Sequence, residues 1–191
     1  GRIDAENEFE DPDHRPLVFR RVRLEARQGR SWRTFEDHRR AVPFTINEGL
    51  DTIGVDVDAL DAGLIVVPRE SVGAAADLPD RVPDEYTAET TVRARIEQVS
   101  SVEHAIVVGY PVPIAGPRVA DGVATDGAAD GEPATGEAPP GAPQVHLTAG
   151  RGRPLILTVL EPDEAMRILA GGDAGRTRLA AALLGAGAIL I

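Results

Sequence analysis

Alternation of apolar and charged residues along segment 17–26 predicts the first strand of the chain. The segment is LVFRRVRLEA, an apolar run that turns into a one-to-one alternation. Successive side chains of a strand point to opposite faces, so this strand is expected to have one solvated face. The glycine-containing segment 28–30 predicts a turn, and segment 31–35 predicts a returning strand. Together they predict a β-hairpin.

Further short apolar runs extend this pattern along the chain. They predict strands at 38–46, 52–57, 64–68, 92–98, 104–110, 144–148 and 154–160. Pro43 lies within the first of these and predicts an edge position or a bulge, because proline has no backbone N–H. Segment 105–109 has no polar face and is predicted as a central strand. Residues 69–90 are predicted as loop, and segment 149–152 as a hairpin turn.

The residues after the last predicted strand have the features of a helix. Pro162 lies in the first turn, and Asp163 and Glu164 lie near the positive end of the helix dipole. Gly171 and Gly172 are expected to end the helix. The predicted fold class is therefore mainly β (α+β), a twisted antiparallel sheet or partly open barrel with one or two C-terminal helices.

Three segments differ in composition from this β domain, which is expected to span residues 17–172. Residues 1–16 are predicted as an acidic lead-in without regular structure. Segment 115–143, rich in Gly, Ala and Pro, cannot bury enough apolar surface to offset the entropy of ordering, so it is predicted as a disordered insert between strands. Segment 176–191 is predicted as the start of a transmembrane helix.

The basis for the membrane prediction is a run of thirteen uncharged residues at 179–191. A membrane span needs about 20 apolar residues. Thirteen would also suit a buried terminal helix, but the run is still apolar where the sequence ends, which favours a membrane helix that continues further. The chain is accordingly expected to be part of a longer protein in the cell membrane, with this domain on one aqueous side.

The charge balance narrows the classes of partner. The chain has 31 acidic and 20 basic residues, a formal charge of −11, and no lysine, so every basic residue is arginine. Two interpretations are open: adaptation to molar salt, which is favoured, or an ordinary acidic protein encoded by a GC-rich genome. Such acidity argues against a broad nucleic-acid surface, which needs positive charge to displace counterions. The absence of cysteine excludes disulfides, cysteine-ligated zinc and a thiol nucleophile within these residues.

Catalytic and metal-binding motifs are missing from the sequence. Its four histidines are scattered, and there is no phosphate-binding Walker loop, no GxSxG and no HExxH. The acidic residues between positions 51 and 61 are interpreted as a solvated surface rather than a cation site. The prediction is no catalytic residue, no bound metal and no cofactor.

Arginines are concentrated on the first predicted hairpin and its extension. Between Arg15 and Arg40 there are nine arginines and three acidic residues. The candidate patch for an anionic partner consists of Arg20, Arg21, Arg23, Trp32 and Arg33. Its partner would be anionic lipid headgroups or an acidic protein segment. In the alternative interpretation, these arginines pair with the excess acids of the protein itself.

A succession of short motifs carries a family resemblance. They are Leu17-Val18-Phe19, Trp32, Val42-Pro43-Phe44-Thr45-Ile46, Val55-Asp56-Val57, Ala105-Ile106-Val107-Val108-Gly109 and Arg153-Pro154-Leu155-Ile156-Leu157-Thr158. In this order and spacing, over most of residues 17–191, the chain resembles the GIDE-type domain, also called the beside-a-membrane (BAM) domain. Mitochondrial membrane-anchored E3 ubiquitin ligases carry this domain, as do many uncharacterised prokaryotic membrane proteins.

The resemblance implies a β domain beside the membrane, bracketed by two spans. The ubiquitin ligase activity of the family belongs to a separate cysteine-rich RING domain, and this chain has no cysteine, so the activity is not carried over. The strand that the family has before residue 17 is replaced here by the acidic stretch.

Three functions are considered from these observations. The favoured one is a membrane-adjacent, non-catalytic binding or assembly domain, attached to the membrane through its C-terminal helix and contacting a protein or anionic lipid, but not nucleic acid. The first alternative is a part of a RING-type E3 ubiquitin ligase-like membrane protein whose catalytic domain lies outside this chain. The second alternative is a small-ligand-binding or hydrolytic enzyme whose site follows no recognised motif.

The acidic composition makes a prediction about salt. If it is an adaptation to molar salt, the free energy of unfolding should rise steeply from low to molar KCl, because dissolved ions screen the repulsion between surface carboxylates. Chemical unfolding at a series of KCl concentrations measures this dependence. A free energy that stays constant across the series would favour the GC-rich interpretation.

Overall fold

The computed structural model describes residues 1–61, 63–114 and 143–171. Over these residues the protein is mainly β, with a curled antiparallel half-barrel sheet and a single short C-terminal helix, which confirms the predicted fold class. The predicted insert, apart from Pro143, and the predicted membrane segment 176–191 lie outside the described residues. Among the helices that are described, none has the length and apolar character needed to cross a membrane.

Thirteen strands and one α-helix make up the described part of the chain. They are β1 (Arg2–Asp4), β2 (Phe9–Glu10), β3 (Pro16–Gln28), β4 (Ser31–Ala41), β5 (Thr45–Glu48), β6 (Asp51–Val55), β7 (Leu64–Ile65), β8 (Arg69–Ala74), β9 (Thr91–Ser100), β10 (Ile106–Val108), β11 (Tyr110–Pro113), β12 (Val145–Thr148), β13 (Ile156–Thr158) and α1 (Pro162–Gly171). Two 3₁₀ turns lie at Val57–Ala59 and Ala75–Asp77.

The curled sheet is built around β3. Strand β9 pairs with β3 on one side and β4 on the other, with β8 beyond β9 and the short β2 beside the start of β3. The β3–β4 connection turns at Gly29, whose positive φ of 60° suits glycine, so the predicted hairpin is confirmed. Two register shifts, between Leu17 and Phe19 and between Leu24 and Glu25, increase the local twist and help to curl the sheet.

A second sheet has the order β1-β5-β6-β12-β11, and a third has the order β10-β13-β7. The second sheet turns Ile3, Ile46 and Val55 inward, and all three are buried. The main core forms where this inner face meets the first part of β3 and the third sheet. Its buried members are Ile3, Val18, Phe19, Phe44, Ile46, Val55, Leu60, Val66, Val99, Ala105, Leu155 and Leu157.

The acidic N-terminal segment, expected to lack regular structure, contributes two short strands. β1 pairs with β5 and β2 pairs with β3, and their single inward apolar residues, Ile3 and Phe9, are only 2% and 5% exposed. The prediction was wrong because each strand has only one apolar residue, next to charged residues. A window of that composition shows no strand periodicity.

Two other segment predictions need correction. The strand predicted at 38–46 is split, because β4 ends at Ala41 and β5 begins at Thr45, with Pro43 in the break. Proline lacks the N–H that a continuous ladder would need there. Residues 69–90 are not all loop, since they begin with β8. That strand is almost wholly exposed and is held by backbone pairing with β9, so no apolar pattern marks it.

The predicted central strand at 105–109 is also different. β10 lies at the edge of the third sheet, and the central strand is β13, in which Leu157 is fully buried. The glycine-rich segment before β13 does turn back on itself through a Gly150–Arg153 bridge. However, β12 and β13 belong to different sheets, so this turn does not join a hairpin of those two strands.

Phe44 is predicted to be one of the residues on which the core depends. It is 4% exposed and packs in the main cluster. Phe44→Ala should lower the free energy of unfolding by about 3–5 kcal/mol, because it removes a large apolar contact area and leaves a cavity. Leu50→Ala is the matched control: Leu50 is fully exposed, so its truncation should change stability by less than about 0.5 kcal/mol. Urea unfolding measures both, and equal effects would contradict this packing.

Candidate functional site

The alternation along β3 divides the predicted arginine patch between two faces of the curled sheet. Arg21 and Arg23 lie on the face that also bears Phe19, here called the Phe19 face. Arg20 lies on the opposite face, here called the Arg20 face. Directly opposed residues of neighbouring strands share a face, so the register assigns each neighbour as well.

On the Phe19 face, the arginines are paired with carboxylates from other strands. Arg21 lies between Asp37, with an N···O distance of 2.6 Å, and Asp61, at 2.7 Å. Its hydrogen bonds hold the pKa of Asp37 below the usual value for aspartate. Arg23 contacts Glu97 at 2.6 Å.

The pairing continues across β9 to β8. Arg95 lies 3.3 Å from Glu97 and 3.8 Å from Glu70, and Arg93 lies 3.6 Å from Glu70 and also contacts Glu25. We call this set the charged ladder; its members are Arg21, Arg23, Glu25, Asp37, Asp61, Glu70, Arg93, Arg95 and Glu97. Four arginines thus meet five carboxylates, so the ladder offers no net positive charge to an outside anion.

Two of the remaining patch residues, Trp32 and Arg33, are also engaged within the protein. The guanidinium of Arg93 stacks over the ring of Trp32 at 4.5 Å from its centroid. Arg33, on the Arg20 face, contacts Glu85 at 3.5 Å. The structure therefore does not bring the five predicted residues onto one surface. Arg21, Arg23 and Arg33 pair with the protein's own acids, as the alternative interpretation expects. Arg20 forms no such ion pair among the described residues.

An open groove of about 970 Å³ lies on the outward face of the second sheet. A row of opposed residues crosses its floor: Asp4 on β1, Thr45 on β5, Gly54 on β6 and His146 on β12. The groove is not predictable from the sequence, because its residues come from four strands spread over more than a hundred positions. The only local signal was the polar residue at every second position in those strands.

Gly54 keeps the floor of the groove low. A Cβ atom at this position would lie 3.2 Å from the Cβ of His146, closer than ordinary packing allows. Beside it, Asp56 is held in place by its neighbours. Its carboxylate accepts hydrogen bonds from the hydroxyl of Thr148, at 2.5 Å, and from the N–H of Ala59, at 3.3 Å. The Thr148 bond is the main reason why the pKa of Asp56 lies below its usual value.

The groove has the chemistry of a binding surface. Asp4, Glu6 and Asp56 give its walls a negative character, and Asn47 places a buried side-chain oxygen there without a hydrogen-bond partner among the described residues. Asp56 is already engaged by Thr148 and by a backbone turn. No group of three or more metal-ligating side chains occurs within the described residues, so no metal centre is assigned there. The groove suits a ligand rich in hydrogen-bond donors.

Asp56 provides a test of this local structure. Asp56→Ala should lower the free energy of unfolding at neutral pH by roughly 1 kcal/mol, because Thr148 and the turn at Val57–Ala59 lose their acceptor. Since the pKa of Asp56 is depressed in the folded state, its stabilisation is complete above the unfolded pKa of about 3.9 and is lost as pH falls through the folded value. The difference between wild type and variant should therefore shrink below about pH 4.

The exposed neighbour Asp58 gives the matched control. Asp58→Ala removes the same charge from the same turn, but the Asp58 side chain accepts neither of these two hydrogen bonds. The substitution should therefore lower the free energy of unfolding by less than about 0.5 kcal/mol. Chemical unfolding from about pH 2.5 to about pH 7, a range that includes the unfolded aspartate pKa of about 3.9, measures both variants. Equal costs for the two, or a cost for Asp56→Ala that persists at the lowest pH, would contradict the role of the ionised carboxylate.

Comparison with known proteins supplies no neighbour from which a function could be transferred. No protein-family model matches the chain, and no curated protein and no solved structure matches it significantly. The resemblance to the GIDE-type domain thus stays a prediction from sequence. Function has to be inferred from the side chains that the structure describes.

Proposed function

We propose that this chain is a membrane-adjacent, non-catalytic binding or assembly domain of a membrane-anchored protein, similar in plan to the GIDE-type domain. The observation that carries the proposal is the open groove on the outward face of the second sheet. Its floor is a rigid set of paired strands whose other face is the core, which is a suitable support for a fixed binding surface.

The side chains of the groove support binding rather than catalysis. A catalytic hydroxyl needs a base within hydrogen-bond distance that is free to accept its proton. Here Thr148 donates to Asp56, which as an ionised carboxylate with a depressed pKa is a weak base at neutral pH. The arrangement therefore stabilises a turn and contributes negative charge to the groove.

The charged ladder gives a second line of support. A cationic active site needs arginines that are available to the substrate, whereas Arg21, Arg23 and Arg95 each contact carboxylates of the protein itself. The arginines of the ladder are thus engaged within the sheet, whereas the groove keeps the side-chain oxygen of Asn47 without a hydrogen-bond partner among the described residues.

The membrane part of the proposal rests on the sequence. Helix α1 is followed by Arg176 and Arg178 and then by the uncharged segment 179–191. Arginines at this position suit the headgroup region, while an apolar segment suits the hydrocarbon interior. The resemblance to the GIDE-type domain implies the same order of a β domain, an acidic helix and a span.

Fractionation tests the proposal. The full-length protein should sediment with membranes and resist extraction by high salt, whereas Leu183→Arg/Leu184→Arg should release it, because two charges in the apolar segment oppose insertion by about 2.5–3.5 kcal/mol each at a helix centre. The sedimented fraction is measured by immunoblotting after a salt wash.

The control adds the same two charges elsewhere. Leu50 and Val67 are exposed apolar residues of the described domain, at 104% and 59% exposure, so Leu50→Arg/Val67→Arg should leave the protein in the membrane fraction. Soluble wild-type protein would overturn the membrane part of the proposal. Equal release of both double variants would show that general charge, rather than the apolar segment, governs sedimentation.

A further inference from the structure

The Arg20 face contains two arginines that directly oppose each other on neighbouring strands. Arg20 on β3 is in register with Arg40 on β4. Like charges in this position destabilise a sheet, because their Cβ atoms are only about 4.5–5.5 Å apart. Within the part of the chain that the structure describes, neither guanidinium forms an ion pair with a carboxylate. This is unexpected in a protein with 31 acidic residues.

Two other arginine pairs of the curled sheet show how the protein offsets such repulsion elsewhere. Arg21 opposes Arg39, and Arg21 is held by Asp37 and Asp61 while Arg39 donates to the backbone oxygen of Val57. In the other pair, Arg23 opposes Arg95, and Glu97 contacts both guanidinium groups. Both of these pairs belong to the Phe19 face. The Arg20–Arg40 pair has no equivalent acceptor among the described residues.

The two side chains are nevertheless positioned by their surroundings. The guanidinium of Arg40 stacks on the ring of Phe9 at 4.3 Å, and Phe9 itself is 5% exposed. Arg20 is half-buried, and its Nε is enclosed without a hydrogen-bond acceptor among the described residues. On the other side of Arg20, the register places Gln98, whose amide is a further potential donor. Donors held in place before binding lose less entropy when a ligand arrives.

We propose that Arg20 and Arg40 form a binding site for a phosphate group on the Arg20 face of the curled sheet. Each guanidinium presents a planar fork of N–H donors, and the oxygens of one phosphate can accept from two forks at once. The bound anion would also remove the repulsion between the two arginines. The site does not depend on the membrane part of the proposed function, since free phosphate and a phospholipid headgroup offer the same chemistry.

Binding and stability together test the site on the full chain. Phosphate should raise the melting temperature of the wild type, and the wild type should bind phosphatidylcholine vesicles more tightly when phosphatidylglycerol is included. Arg20→Gln and Arg40→Gln should each weaken binding about fivefold, as expected for the loss of one arginine near an anionic surface. Without phosphate, Arg20→Gln should not lower the melting temperature, because it relieves the repulsion, whereas Arg40→Gln also loses the stacking on Phe9. A purely structural role of Arg20 would lower the melting temperature of Arg20→Gln.

Arg33→Gln/Arg81→Gln is the matched control for Arg20→Gln/Arg40→Gln. Arg81 contacts Glu36 and Arg33 contacts Glu85, so this variant loses the same charge from the same face but removes arginines that are already paired. Only the Arg20/Arg40 variant should lose binding. Saturation by free phosphate alone, or by phosphatidylglycerol vesicles alone, identifies the source of the group and supports the site. Equal loss in both double variants, or no binding of either probe by the wild type, would overturn it.

Discussion

The register of the curled sheet is constrained by opposite charges that are matched along one face of β3. That face begins with Phe19 in the main core and continues with Arg21, Arg23 and Glu25, so apolar packing passes directly into the charged ladder. Glu25 and Glu97 are each only 7% exposed. Removing one partner of a buried ion pair leaves an uncompensated charge and costs about 3–5 kcal/mol, so each strand of the ladder constrains its neighbours. The ladder thereby specifies the register of β3, β9 and β8 where apolar residues are few.

The ladder also changes how the net charge of −11 is distributed. Its arginines are paired on the Phe19 face, while the walls of the groove remain acidic. Ions in solution screen exposed charges much more effectively than buried pairs. Molar salt should consequently relieve the repulsion between exposed carboxylates while affecting the pairs of the buried Glu25 and Glu97 less.

The sequence predicted those parts of the fold that are visible within a short window. The hairpin around Gly29, the strand over 92–98 and the helix at Pro162 each have a local pattern of alternation, turn residues or capping, and each is present. Strands β1 and β8 were missed because their order comes from backbone pairing with distant strands. The groove was missed for the same reason. The arginine cluster was recognised, but its division between two faces was not predicted. Alternation along β3 separates Arg20 from Arg21 and Arg23, whereas the position of Arg33 depends on the register shift between Leu24 and Glu25, which no local pattern specifies.

The connectivity of β3 has a consequence for how the protein is made. The ion pair between Arg23 on β3 and Glu97 on β9 joins positions 74 residues apart. Elsewhere in the fold, the hydrogen bond from Gly1 to Ala105 joins positions 104 residues apart. Chains dominated by such distant contacts fold slowly, because the entropy of closing long loops is lost before the contacts form. During synthesis, the hairpin of β3 and β4 is complete before β9 is made, so its arginines are solvated until β9 pairs with β3. The curled sheet can therefore be completed only after residue 100 has been synthesised.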